Sequence, residues 1–167
     1  SGTSIPESWG DLYVNVVLNV KQYVENDEYN YYVTHDNLVG IIKYTGTKGT
    51  LTIDQIDGKD VYYIGSNAFR ELDRVQAVTI GPKVVEIGDY AFADCRNLKE
   101  LYISKGIEKI GYYAFSNSYD KNVYYDGTIE DWCLMDLSDS DASNPAHGSR
   151  LYFSKDGKYE QVREIII

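Results

Sequence analysis

A chain of 167 residues, 43% of them hydrophobic, is long enough to bury one core of ordinary size and is not of disordered composition. Its 26 acidic against 16 basic residues leave a formal charge of -10, which repels phosphate backbones and anionic lipid and excludes nucleic acid as a partner. No apolar run approaches the roughly 20 residues of a membrane-spanning helix, so no membrane insertion is expected.

The N-terminal "SGTSIPESWG" has no charged segment followed by an apolar stretch, and no signal peptide is read in it. Residues 11–24, "DLYVNVVLNVKQYV", support two readings. Leu12, Val14, Val16, Leu18 and Val20 alternate as in a strand, whereas Leu12, Val16, Val20 and Tyr23 also share a helical face. The abundant Val and Asn are poor helix formers and tilt the balance toward strand. Residues 31–44, "YYVTHDNLVGIIKY", predict a hairpin around His35, Asp36 and Asn37 that caps the open edge of the structure formed by the residues C-terminal to it.

From residue 64 onward the chain repeats itself. "IGSNAF" (64–69), "IGDYAF" (87–92) and "IGYYAF" (110–115) recur every 23 residues, aligning Ile64, Ile87 and Ile110, Gly65, Gly88 and Gly111, Ala68, Ala91 and Ala114, and Phe69, Phe92 and Phe115. "VQAVTI" (75–80) matches "LKELYI" (98–103) at the same interval and ends in an apolar, variable, apolar alternation, a short strand with one buried side. A period of this length with such strands predicts a leucine-rich repeat solenoid: a right-handed superhelix, β-rich with short helical turns, carrying short parallel strands on one face. Gly permits a tight change of direction, Ala a close approach between coils, and Phe an interior ladder. The expected organisation is one compact unit, with a β-rich cap over residues 1–44 and 23-residue coils over 45–167. Thr128 is placed to cap a short helix in "TIEDWCLM", with Glu130 and Asp131 in its first turn. At the C-terminus "VREIII" (162–167) places Val162, Ile165 and Ile167 in the three apolar columns, an edge strand that predicts self-association or a longer array.

No catalytic constellation emerges. His35 and His147 sit in separate turns without an HExxH, GxSxG or catalytic-cysteine signature, and "GTKGT" (46–50) lacks the spacing of a phosphate loop. The acidic turns "DQIDGKD" (54–60) and "SDSDASNP" (138–145), the latter with Asp139, Asp141 and Asn144, lack the glycine and bidentate Glu placement of a calcium loop and are read as solvated turns. No metal or cofactor is expected. Cys95 and Cys133, too few for a disulfide scaffold, are read as two separate buried thiols. What remains is a surface. In strands that bury Leu101 and Ile103, the intervening residues face out, giving a ladder Thr52, Thr79, Tyr102, Tyr124 and Tyr152 flanked by Glu100 and Asp126. This strand face is the candidate ligand-binding surface, suited to a protein loop or a sugar ring.

The pattern IGxxAFxxC-x-x-L-x-x-L-x-I resembles the BspA-like, or treponemal-type, bacterial leucine-rich repeats. "GTLTIDQIDGKDVYYIGSNAF" (49–69) is similar to the opening coil of such arrays and "VYYDGTIEDWCLMDL" (123–137) to their terminal insert, so the resemblance spans roughly residues 44–167. Cys95 matches the motif cysteine, but Leu72 and Ser118 replace it in the other copies, the third coil runs one residue out of phase, and 11 residues separate Ile53 from Ile64 where 7 would be regular. The resemblance implies a non-catalytic binding or adhesion module at the bacterial cell surface or secreted, with an extracellular or host protein as partner. A carbohydrate-recognition module and a structural spacer of a larger surface protein are the alternatives.

Overall fold

The computed structural model describes residues 20–138 and 143–162. Residues 11–19 of the ambiguous segment, Asp139 and Asp141, and Ile165 and Ile167 of the C-terminal strand therefore lie outside the described residues.

The cap is an antiparallel meander of β1 (Val20–Glu25), β2 (Tyr29–Thr34) and β3 (Val39–Tyr44). Its β2–β3 turn falls where the sequence predicts: Asn37 takes the left-handed conformation at φ 63° that Asn tolerates, and Thr34 Oγ1 accepts from the Leu38 amide at 3.1 Å. β3 then runs parallel to β6 (Lys59–Ile64), with Ile41 opposite Ile64, and so welds the cap to the first coil.

Each coil contributes a strand to each of two parallel sheets. The first sheet carries β4 (Thr50–Ile53), β7 (Ala77–Ile80), β9 (Glu100–Ser104), β11 (Asn122–Asp126) and β13 (Arg150–Lys155) in spatial order. The second continues from β6 through β8 (Glu86–Ile87) and β10 (Lys109–Ile110) to β12 (Asp136–Leu137), with Ile64, Ile87 and Ile110 in register. The irregular interval between Ile53 and Ile64 is a small hairpin of β5 (Gln55–Ile56) against β6, turned by Asp57 (φ 50°) and Gly58 (φ 73°). The hairpin cap covers the first coil's edge, as expected, on one of the two sheets. That sheet is the second, while β4 forms the edge of the first with β7 as its sheet neighbour among the described residues. At the other end the edge of β13 is taken by β14 (Lys158–Gln161), an antiparallel return strand, ahead of the apolar segment 162–167. Val162 is half-buried against the core, its amide donating to the Leu151 carbonyl at 2.9 Å, and the remainder of the apolar segment lies outside the described residues.

The phenylalanines stack through the interior: Phe69 and Phe92 lie 4.9 Å apart at 11°, Phe92 and Phe115 5.3 Å apart at 7°, and all three are buried. Tyr44 of the cap extends the ladder by one step, 5.6 Å from Phe69, closing the core where the repeat motif is absent. On this side of the coil the backbone is also bonded from coil to coil, with the Phe69 amide donating to the Ala91 carbonyl and the Phe92 amide to the Ala114 carbonyl, each at 2.8 Å. Such proximity is why the glycine column exists. A Cβ on Gly88 would stand 2.6 Å from the Ser66 amide nitrogen.

The motif cysteine is a hydrogen-bond position. Cys95 Sγ donates to the Phe69 carbonyl at 3.0 Å, and Ser118, its counterpart one coil on, donates to the Phe92 carbonyl at 2.6 Å, so serine conserves the bond where the sulfur is lost. Beside it the phase slip becomes visible: Glu100 pairs with Asn122 at an offset of 22 residues where Ala77 pairs with Glu100 at 23. The shortened chain carries Lys121 into the interior, where its ammonium bonds the Ser118 carbonyl and, at 3.2 Å, Ser149 Oγ, above the ring of Phe115. Cys133, expected to be buried, is exposed instead. It sits on α1 (Ile129–Cys133), a helix too short to bury more than one residue, and that residue is Trp132. Thr128 caps the helix and Asp131 completes a reciprocal capping box.

Candidate binding face

The outer surface of the first sheet is set by strand alternation. Leu51, Ile53, Val78, Ile80, Leu101, Ile103 and Val123 point into the core, and their neighbours point out. Because the strands are parallel and in register, Thr52, Thr79, Tyr102, Tyr124 and Tyr152 fall on one line across the sheet. Adjacent strands are about 4.8 Å apart, close to the optimum for aromatic stacking. The rings accordingly stack, Tyr102 on Tyr124 at 4.6 Å and 13°, Tyr124 on Tyr152 at 4.9 Å and 22°.

Glu100 and Asp126 flank this line at opposite ends of their strands. Glu100 accepts from Asn122 Nδ2 at 3.0 Å, and burial together with the Glu100 carboxylate pushes the Tyr124 hydroxyl up to about 12. Every candidate residue singled out by the alternation thus lies on one face. The alternation misses one further residue. Tyr159, delivered by β14, leans over the ladder with its ring 5.0 Å from Tyr124 and 6.2 Å from Tyr102, both in edge-on geometry. The signal for it was the "DG" pair at 156–157, whose left-handed φ values of 51° and 75° make the two-residue turn between β13 and β14.

A second aromatic set lies on the motif side of the coils. Tyr90 stacks on Tyr113 at 5.4 Å, and the Arg70 guanidinium lies over Tyr90 at 5.4 Å from its centroid. Both tyrosines have positive φ, 55° and 54°, in the column occupied by Asn67 at 59°; the turn imposes the conformation on residues that rarely adopt it. His35 and His147 are exposed in different turns. Among the described residues no group of three or more His, Cys, Asp or Glu is arranged to hold a metal, and no helix is long and apolar enough to cross a membrane.

Stacked coils with an internal Phe ladder and a parallel-strand face agree with the comparison of the sequence with known families, in which the BspA type leucine-rich repeat region (6 copies) matches residues 46–134. The chain belongs to this family. Leucine-rich repeat proteins are generally non-enzymatic binding modules, and the family match suggests a binding or scaffold module here. The fold is similar to that of a leucine-rich repeat protein of T. pallidum, at 23% identity and a TM-score of 0.54, over 62% of this chain and 53% of that one. The chain thus spans about half the length of the treponemal protein. A leucine-rich repeat protein of Bacteroides capillosus shares 21% identity at a TM-score of 0.43, covering 63% of this chain and 99% of that one. A leucine rich cell surface protein of Faecalibacterium prausnitzii shares 18% at 0.33, covering 71% and 43% respectively. No curated protein matches the chain.

Proposed function

We propose that this BspA-type solenoid is a non-catalytic adhesion or binding module, secreted or displayed at the bacterial surface, that recognises an extracellular protein through its strand face. The observation that carries the reading is the Tyr102–Tyr124–Tyr152 stack, half-exposed and bordered by carboxylates on a rigid parallel sheet. A stacked, preorganised set of rings presents hydroxyls and ring edges to a partner with little ordering cost. The stacking also favours protein over sugar as the main ligand, because within the ladder the ring faces a pyranose would need are turned onto one another.

The test is a binding screen against extracellular-matrix and host-surface proteins, run beside a glycan array. Binding to a protein that falls in Tyr102→Ala and Tyr124→Ala while thermal stability stays nearly constant supports the proposal. Binding confined to glycans would make the chain a carbohydrate module, and silence in both screens would make it a spacer.

A further inference from the structure

The first sheet has one unguarded edge. A parallel ladder turns the backbone groups of alternate residues toward one neighbour and those of the residues between them toward the other. In β4 the carbonyls of Gly49 and Ile53 accept from the Gln76 and Gly81 amides at 2.7 and 2.8 Å, so the odd-numbered residues face β7 and the N–H and C=O groups of Thr50 and Thr52 point out past the edge. No described strand pairs with them, and both threonines are exposed. The free window is bounded on either side. The Lys48 amide donates to the Tyr44 hydroxyl at 2.9 Å, and the Asp54 carbonyl accepts from the Val61 amide at 2.8 Å.

The other sheet edges among the described residues are protected. β1 carries Lys21 and Glu25 and breaks register at Lys21, β12 is two residues long, and β14 carries Lys158 and Glu160. Charges, irregular register and short length are the devices that discourage a further strand from pairing. β4 has none of them. Its sequence is Thr-Leu-Thr-Ile, without charge or proline, and its register with β7 is unbroken from Thr50 to Ile53.

We propose that β4 accepts an extended segment of a partner protein as an added strand, uncharged and rich in β-forming residues along the rung and basic at its ends. Thr50 and Thr52 supply two donors and two acceptors, enough for up to four main-chain hydrogen bonds. The edge offers no charge to pair within the rung, while the chain's formal charge of -10 draws basic flanks toward it and turns acidic ones away. This contact reads backbone rather than rings and does not depend on the tyrosine face.

The full chain, labelled with nitrogen-15, is titrated at low salt with the capped peptide Lys-Thr-Val-Thr-Val-Lys, its glutamate-flanked counterpart, and a version of the lysine peptide N-methylated at alternate residues. The lysine peptide is expected to shift the amides of Thr50 and Thr52 most and to bind more tightly than the glutamate one, and the N-methylated peptide, stripped of its donors, should not bind. Thr52→Pro removes an outward N–H without touching the bonds to β7, so it should weaken the lysine peptide about fivefold or more while leaving the unfolding midpoint nearly unchanged. Equal binding of the N-methylated or the glutamate peptide, or unchanged affinity in Thr52→Pro, would overturn the assignment. Affinity that falls in Tyr124→Ala and not in Thr52→Pro would put the peptide on the tyrosine face and sink the edge site. Self-association of the full chain that disappears in Thr52→Pro would make the occupant a second copy and overturn the assignment to a partner.

Discussion

Replacing Lys121 by Met should stabilise this protein at neutral pH and cease to do so in alkali. The lysine is 1% exposed, and burial pulls its ammonium down from the ordinary 10.5 to about 8. A fall of that size means that holding the charge inside costs about 3 kcal/mol at neutral pH. Methionine fills a similar volume without charge but leaves the Ser118 carbonyl and Ser149 Oγ without their donor, a loss of about 1 kcal/mol. The variant should therefore gain about 2 kcal/mol in urea unfolding near neutrality, the difference between these effects. Between pH 8 and 10.5 the unfolded chain holds a proton that the folded chain has shed, so wild-type stability rises with pH relative to the variant. Near pH 10.5 the order should reverse, to about 1 kcal/mol in favour of wild type, because neutral Lys121 keeps its hydrogen bonds. Groups that do not interact with Lys121 cancel in the comparison, whereas Cys95, whose thiol the Lys121 charge pulls down, is read in parallel in a Cys95→Ser background of both chains. A difference that stays flat across this range would refute the argument that a desolvated charge sits at this position.

Phe92→Ala removes the central ring of the interior ladder and should cost roughly 3–5 kcal/mol in chemical denaturation, whereas a cost below about 1 kcal/mol would mean that neighbouring coils collapse into the space. Gly88→Ala drives a methyl into the backbone of residues 64–66 and should lower stability by about 1–3 kcal/mol, read as a drop in the unfolding midpoint; an unchanged midpoint would show that the coils can part without penalty. Ellman's reagent at mildly alkaline pH should report one reactive thiol in the native protein and two after denaturation, because Cys133 is exposed while burial pushes Cys95 up to about 11. Rapid reaction of both thiols in the native state would contradict the buried position of Cys95.

What the sequence made legible is what repetition encodes. Phe69, Phe92 and Phe115 occupy one column and one ladder, and the alternation around Leu101 and Ile103 was enough to put Tyr102, Tyr124 and Tyr152 on a common face. The family pattern carried the fold further than periodicity alone, since it extends through the helix at 129–133. Legibility ended where pairing is decided by tertiary competition. β3 could have extended either sheet, and its choice of β6 depends on which edge its side chains fit rather than on any residue pattern within residues 31–44. Lys121 escaped because a lysine is ordinarily read as solvated; only the one-residue slip turns it inward. Cys133 was misplaced by the general tendency of thiols toward burial, which a one-turn helix on the surface overrides. Tyr159 was missed because its strand belongs to no repeat.

The β5–β6 hairpin shows how the array accommodates extra chain. It carries the residues that lengthen the first coil, yet Ile64 still meets Ile87 in register and Ile53 still meets Ile80, so the added length is shed sideways at a corner and never enters the stack. At its tip a Cβ on Gly58 would meet nothing within 4 Å. Coil length is thus decoupled from rise per coil, and the corner is a natural grafting point on the far side of Asp57, whose carboxylate ties the hairpin to Tyr31 and Asn26 of the cap: an epitope or a purification tag inserted after Gly58 would lengthen the corner while leaving the Ile64–Ile87 and Ile53–Ile80 pairings to the strands that make them.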